Sequence, residues 1–136
     1  MSTRAFRSGV VAEIVKWAAA EFPTLPVIYE NGPVPDEDKI GPIWLDISIR
    51  WYSAQTKNVG EAAAGRHTGV VSAQVFAREG SGTAKVDDIL DSLTKFLATR
   101  RIGAAVLLFP EHNTPNTARG WYKSGLMFPF WLDVHR

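Results

Sequence analysis

The side chains that could do chemistry in this sequence are few and dispersed. His67, His112 and His135 fall in predicted loops and at the end of the chain, without the spacing of a helical zinc motif. The chain has no cysteine to complete a metal site or form a disulfide. Asp133 and His135 could supply two members of a catalytic triad, but no G-x-S-x-G segment supplies a nucleophile. We therefore predict no catalytic residue, no metal site and no cofactor.

Two further patterns have simple structural interpretations. The segment GSGT at 80–83 precedes a helical pattern, and free backbone N–H groups at such a place can bind phosphate. It lacks the lysine of a Walker motif, and Asp87 and Asp88 would repel an anion, so helix capping is the better interpretation. The acidic segment 36–38 lacks the glycine and terminal glutamate of a calcium loop, which favours a solvated loop.

Hydrophobic spacing predicts the elements that would position these residues. Apolar residues at intervals of three and four predict a helix that begins near Ser2 or Thr3 and ends before Pro23, and a second from Ala84 to Arg100. Alternating or continuous apolar runs predict strands at 27–30, 43–52, 69–78, 105–109 and 120–134. The intervening segments 31–42, 53–68 and 110–119 are predicted loops. The fold class is α+β: a mostly antiparallel sheet with the two main helices packed on one face.

Composition narrows the class of protein. The chain has 136 residues, of which 46% are hydrophobic and 21% charged, as expected for one folded domain over 1–136. The net charge of +1 is too small for a protein whose main task is holding nucleic acid. No apolar segment follows the first residues, and the longest apolar run, Ile102–Pro110, is too short to cross a bilayer. We expect a protein made and kept in the cytoplasm unless a larger particle carries it.

The aromatic residues exceed what one covered sheet face can bury. The last predicted strand carries large side chains on both faces, and Pro129 predicts that it is an edge strand or is bulged there. The acidic loop and the basic 53–68 loop could meet across a head-to-tail interface between copies, or be two independent solvated loops. The predicted interface residues are Asp36, Glu37, Asp38, Lys57, Arg66, His67, Trp121, Met127, Pro129 and Trp131.

A family resemblance rests on segments spread over nearly the whole chain. They are FPTLPVIYEN at 22–31 after the first helix, RHTGVV at 66–71, QVF at 74–76, GSGT at 80–83, and the closing GWY at 120–122 and FPF at 128–130. Together they resemble the tail terminator, or tail completion, proteins of long-tailed bacteriophages and phage-derived particles. The shared motifs are structural, so there is no catalytic residue of the family to assign.

The resemblance implies a function in assembly. Such proteins are α+β domains that form hexameric rings on the end of the tail tube, stop its polymerisation and provide the surface on which the head or neck docks. The implied partners are further copies of the chain, the tail tube protein and a head completion or neck protein. DNA passes through the lumen without sequence-specific binding, no membrane is involved, and the implied location is the head-proximal end of the virion tail, after assembly in the host cytoplasm.

Two alternatives stay open at the level of sequence. One is a head–tail connector or minor tail protein of similar size. The other belongs to a different class: a small-ligand or sugar-binding domain that uses Trp44, Trp121 and Trp131 as stacking platforms.

Overall fold

The computed structural model describes residues 1–33, 35–60 and 63–135. Helix α1 spans Thr3–Glu21, and the Ser2 side chain caps it by accepting a hydrogen bond from the Ala5 N–H at 3.0 Å. Helix α2 spans Ala84–Leu97. Each helix buries one stripe, and the buried residues of α1 are the predicted Phe6, Val10, Ile14 and Trp17.

The described strands fall into one large sheet and one small hairpin. The strands are β1 (Val27–Tyr29), β2 (Ile43–Asn58), β3 (Ala64–Arg78), β4 (Arg101–Ile102), β5 (Ala105–Val106), β6 (Glu111–His112), β7 (Asn116–Ala118) and β8 (Trp121–His135). The large sheet has the order β1-β2-β3-β8-β6, with β7 also paired to β8, and β4 with β5 forms the hairpin. Only the β1–β2 pair is parallel among these described pairs. The predicted α+β class with a mostly antiparallel sheet is confirmed.

Both helices cover one face of the sheet. The main core joins the helical stripes to alternate residues of the three long strands, such as Leu45, Val75 and Phe128. On the opposite face Trp44, Phe76 and Trp121 form a second buried cluster, against which Ile28 and Ile40 pack. The loop that precedes β2 thus supplies extra cover, through Ile40, that the sequence analysis did not foresee.

The prediction of a loop at 53–68 is wrong. The strands β2 and β3 extend through it and pair from Ser53↔Thr68 to Asn58↔Ala64, which leaves only a short connection at 59–63. The strand pattern is hidden because every residue of β2 from Arg50 onward is exposed, so polar residues occupy both faces. Apolar alternation reports burial on one face, and it disappears where neither face is buried.

Three smaller predictions also need correction. Helix α2 ends at Leu97 rather than Arg100. The predicted strand at 105–109 is a strand only at 105–106, because Leu108 and Phe109 turn toward solvent. The register between β3 and β8 runs from Ala64↔His135 to Arg78↔Trp121 without a shift, so no bulge forms against β3 at Pro129.

Proline is tolerated at position 129 because the backbone nitrogen there is turned away from β3 and has no ladder hydrogen bond to donate. Its carbonyl oxygen accepts a hydrogen bond from the Leu108 N–H at 2.8 Å, so its backbone is turned away from β3. Proline is tolerated at such a position because the missing donor would have faced outward. Strands β6 and β7 pair with β8, and Leu108 binds Pro129. Beyond Pro129 no described strand pairs with β8, but β5 packs close beside it.

Candidate interaction surface

The three long strands continue together to one end of the sheet, where the β2 strand is exposed and Leu132 of β8 still belongs to the main core. This end of the sheet, which we call the distal sheet, comprises Arg50–Asn58 of β2, Ala64–Thr68 of β3 and Trp131–His135 of β8. Its β2 segment is exposed throughout, whereas the β3 and β8 segments are mixed in burial. The distal sheet holds four of the predicted interface residues: Lys57, Arg66, His67 and Trp131.

A bulge marks the base of the distal sheet. The β2–β3 register shifts between Trp51 and Ser53, so Tyr52 has no partner residue on β3. Gly69 lies opposite Trp51, and a Cβ atom there would meet the carbonyl oxygen of Arg50 and come within 3.1 Å of the Phe130 ring. The absence of a side chain at Gly69 therefore lets β2 approach closely enough to change register.

Asp133 holds the two predicted basic residues together. Its carboxylate accepts hydrogen bonds from Arg66 Nε at 2.9 Å and from Lys57 Nζ at 2.8 Å, which ties the outer strands β2 and β8 across β3. Hydrogen bonds from Arg66 and then from Lys57 hold the pKa of Asp133 well below its usual range. The same bond raises the pKa of Arg66. Lys57 and Arg66 are thus strand residues that share one carboxylate, rather than members of a free basic loop.

Trp131 lies beside this ion cluster. The Arg66 guanidinium carbon is 4.2 Å from the centroid of the Trp131 ring, a cation–π contact. The Trp131 side chain still has 39% of its surface exposed. One ring face is therefore held by the protein, and much of the remainder is available to a partner.

The outer edge of β2 is uncovered over most of the distal sheet. Strand β1 pairs only with Leu45, Asp46 and Ile47. The Glu30 carboxylate then accepts hydrogen bonds from the Ile49 N–H at 2.5 Å and from Arg7 Nη1 at 2.6 Å. No described strand pairs with the outer side of β2 beyond that point. An uncovered edge of this length is a template for strand addition.

The outer edge of β8 is flanked at the same level by β5, which packs beside it without a described pairing. Gly125 and Pro129 turn their carbonyl oxygens outward, where the N–H groups of Asn113 and Leu108 bind them. Trp131 and Asp133 follow with the same orientation, because backbone groups alternate along a strand. The Asp133 carbonyl has a single long contact of 3.4 Å to the Met1 amine.

Large apolar side chains are exposed next to both edges. Tyr52 on β2 has 63% of its surface exposed and Phe109, two residues before β6, has 68%. The complete set of exposed large hydrophobic residues among those described is Val15, Trp51, Tyr52, Val59, Leu108, Phe109 and Trp131. All but Val15 lie in the distal sheet, in its connecting turn, or beside Pro129 of β8. Such clustering is typical of an interaction surface.

The remaining predicted interface residues differ in burial and in their contacts. Trp121 is buried to 2% exposure, with the Arg78 guanidinium 4.0 Å from its ring centroid, so it is not a surface residue. Met127 is half-buried on the face away from the helices, and the Pro129 carbonyl accepts the Leu108 N–H at the outer edge of β8. As predicted, the acidic loop is exposed: Asp36 receives the Asp38 N–H at 3.1 Å and lies 3.8 Å from Lys39 Nζ, and the Glu37 carbonyl binds Arg78.

Two of the three tryptophan rings considered for sugar stacking, those of Trp44 and Trp121, pack against other rings of the protein. The Trp44 ring stacks on Phe76 at a centroid distance of 4.0 Å and meets the edge of Trp121 at 5.9 Å. Both indole rings are therefore occupied inside the protein. Of the three tryptophans considered for ligand stacking, only Trp131 is exposed.

Two clefts lie next to helix α1. A groove of about 670 Å³ runs between α1 and α2, where Trp17 Nε1 donates a hydrogen bond to Ser92 Oγ at 3.0 Å. A cleft of about 530 Å³ lies between the start of α1 and the sheet, where the His67 and Trp51 rings meet at 5.9 Å. Among residues 1–33, 35–60 and 63–135, no three metal-binding side chains cluster.

The pKa of Asp46, an acidic residue near Glu30, is shifted by its structural surroundings. Burial raises the pKa of Asp46, and the negative charge of Glu30 raises it further, while Arg50 acts in the opposite direction. Asp46 lies within the β1–β2–β3 part of the sheet, away from the two clefts. We assign it no chemical role.

Sequence reasoning missed several residues of this surface. Asp133 was considered only as a partner of His135, although it binds Lys57 and Arg66. Glu30 was treated as the end of a strand, although it ends the covered part of β2 with its side chain. The pairing was missed because Lys57 and Arg66 fell in the predicted loop at 53–68, so only Asp133 was placed on a strand.

Comparison with known proteins supports the fold alone. No protein-family model and no curated protein sequence matches the chain. Among solved structures, one matching chain superposes with a TM-score of 0.74 at 15% identity, over 96% of this chain and 94% of that chain. The arrangement described above is therefore shared almost end to end with another protein. Within the described residues, no helix has the length and apolar character needed to cross a bilayer.

Proposed function

We propose that this protein is a structural component of a phage tail or a phage-derived particle, and that it caps the tail tube as a ring. The observation that carries the proposal is the clustering of exposed apolar side chains beside the uncovered outer edge of β2 and, on the opposite side of the sheet, beside Pro129 of β8. Unlike surfaces on opposite sides suit a head-to-tail interface, which closes into a ring when the rotation allows. The sequence resemblance to tail terminator proteins supplies the identity of the particle.

In this function the ring ends polymerisation of the tube and offers its other surface to the head or neck. The implied partners are further copies in a hexameric ring, the tail tube protein and a head completion or neck protein. DNA crosses the lumen without sequence readout, and the protein resides at the head-proximal end of the tail. The exposed acidic loop at 36–38 is a second candidate contact with one of these partners.

A deletion in the particle's genome tests this function directly. We expect particles without the gene to make tubes of uncontrolled length or tails that fail to join heads, and the wild-type gene to restore normal tails. Electron microscopy of particle lysates measures both. Normal tube length with unjoined heads would instead favour the head–tail connector alternative. Normal particles would contradict the proposal.

A further inference from the structure

We infer that the acidic loop at 36–38 of one copy binds in the cleft beside the start of α1 of the next copy. The inference rests on the proposed ring-forming function and specifies a contact that would join neighbouring copies. The ligand class of the cleft is a carboxylate, and its source is a second copy of this chain. Three properties of the two surfaces support it: their charges, their fixed conformations and their positions on the molecule.

The cleft brings cationic and aromatic side chains together. Its lining residues are Thr3, Arg4, Arg7, Trp51 and His67. The Arg7 guanidinium is already paired with the Glu30 carboxylate at 2.6 Å. Arg4 is exposed, and within the described part of the chain no acidic side chain forms an ion pair with it. An arginine with no acidic partner of its own suits an incoming carboxylate, which it can bind through two parallel hydrogen bonds.

The aromatic side chains of the cleft are held in place by neighbouring rings. The Trp51 ring meets Phe6 of α1 at a centroid distance of 6.2 Å and Phe130 of β8 at 5.4 Å. The His67 ring meets the same indole edge-on at 5.9 Å. Because these side chains are already ordered, binding of a partner in the cleft costs little further side-chain entropy.

The acidic loop is also preformed. The Asp36 side chain accepts the Asp38 N–H at 3.1 Å, and the Asp36 carbonyl accepts the Ile40 N–H at 2.9 Å. Arg78 Nη2 donates a hydrogen bond to the Glu37 carbonyl oxygen at 2.5 Å, which ties the loop to β3. Glu37 and Asp38 are exposed and form no ion pair with another described residue. The loop thus presents two carboxylates that are available to a cation of another copy.

The two surfaces lie on different faces of the sheet and at different levels along it. The acidic loop lies over the face away from the helices, because Ile40 next to it packs against the cluster that contains Trp44. The cleft lies on the helical face, where Trp51 meets α1. Trp44 and Trp51 are seven residues apart on β2, which corresponds to about 23 Å along the strand. Unlike surfaces placed in this way cannot meet within one copy, and they suit a head-to-tail interface that closes into a ring.

The basic residues of the distal sheet are less suitable for this loop. Lys57 Nζ lies 2.8 Å and Arg66 Nε 2.9 Å from the Asp133 carboxylate of the same copy. Their charge is therefore partly neutralised, and Asp133 would repel a second carboxylate at the same place. We therefore place Arg4, rather than Lys57 and Arg66, opposite the acidic loop.

An exchange of charges across the contact tests it. Glu37→Lys and Arg4→Glu each place like charges opposite one another in every contact, so we expect each to weaken self-association about tenfold or more. An equimolar mixture of the two variants should recover wild-type association to within about threefold, because every contact pairs opposite charges when the variants alternate around the ring. The chain that carries both substitutions should recover in the same way. Sedimentation velocity measures association, and circular dichroism checks folding.

Two matched controls make the same charge changes elsewhere. Lys16→Glu alters an exposed cation on the same helix as Arg4, and Asp88→Lys alters an exposed acid on α2. Neither position lines the cleft or belongs to the acidic loop. We expect both variants to associate as the wild type does, within about twofold.

The outcomes separate this contact from the proposed function. Loss of association in the single variants, with recovery in the mixture and in the double variant, supports the contact. Oligomers that both single variants form as well as the controls do would show that another surface joins the copies, and would overturn it. Loss without recovery overturns it as well, as does a wild-type protein that stays monomeric. Tail length in the deletion strain decides the function independently of each of these results.

Discussion

At the scale of single residues, Asp133 has the largest influence on the distal sheet. One carboxylate satisfies Arg66 and Lys57 from two other strands, while Arg66 also covers Trp131. Its pKa is lowered in the folded state, so its contribution to stability is present above the unfolded pKa of about 4 and is lost as the pH falls. The ion pairs that join the strands of the distal sheet at Asp133 therefore depend on pH.

Replacing this carboxylate should change the pH dependence of stability. We expect Asp133→Asn to unfold at lower urea concentration than the wild type at pH 7. The difference should shrink as the pH falls below about 4, because the carboxylate of the unfolded wild-type chain then takes up a proton while the folded one still resists it. Urea unfolding across this pH range measures it. Asp38→Asn, in the exposed loop and without an ion pair among the described contacts, is the control. An unchanged difference across the range would contradict the assignment.

At the scale of elements, the bulge between Trp51 and Ser53 joins the helix-covered sheet to the distal sheet. It reverses which β2 residues turn outward, and it requires close approach of Gly69 to the Arg50 carbonyl. The strand pattern of 43–52 and 69–78 was predictable because one face is buried there. The continuation to Asn58 was not, since an exposed ribbon carries no apolar alternation.

A pair of glycine substitutions in β3 tests the bulge. Gly69→Ala should lower the free energy of unfolding by about 2 kcal/mol or more, because its Cβ would meet backbone that cannot move freely. Gly65→Ala in the same strand places its Cβ 3.6 Å from the Gln55 carbonyl oxygen, an ordinary contact, and should change stability by less than about 0.5 kcal/mol. Chemical unfolding compares the two, and equal effects would contradict this account of the bulge.

At the scale of the whole molecule, helices cover one face, a second aromatic cluster seals part of the other, and the β2 strand of the distal sheet stays exposed. The α+β class and the stripe of α1 followed from periodicity alone. The placement of Trp121 inside the protein did not, because its cover comes from Arg78 and the loop that bears Ile40. Burial by a loop depends on tertiary contacts that no local spacing encodes.

The exposed apolar side chains should act on association and not on folding. We expect Phe109→Ser to weaken self-association, with a midpoint of thermal unfolding within a few degrees of the wild type, because a side chain already in solvent contributes little to the core. Phe128→Ser, at a fully buried position of β8, is the contrasting variant and should destabilise the fold severely. Sedimentation and calorimetry distinguish these effects, and a large loss of thermal stability in Phe109→Ser would contradict the interpretation.

The Glu30 carboxylate has a consequence for any strand that docks on β2. By binding the Ile49 N–H it takes the place that a further residue of β1 would occupy, and through Arg7 it is fastened to α1. An incoming strand cannot pair with β2 at Ile49, whose N–H is bound by Glu30, so its pairing must begin after that residue. A single acid held by a helix can therefore set where a newcomer starts and keep it from sliding.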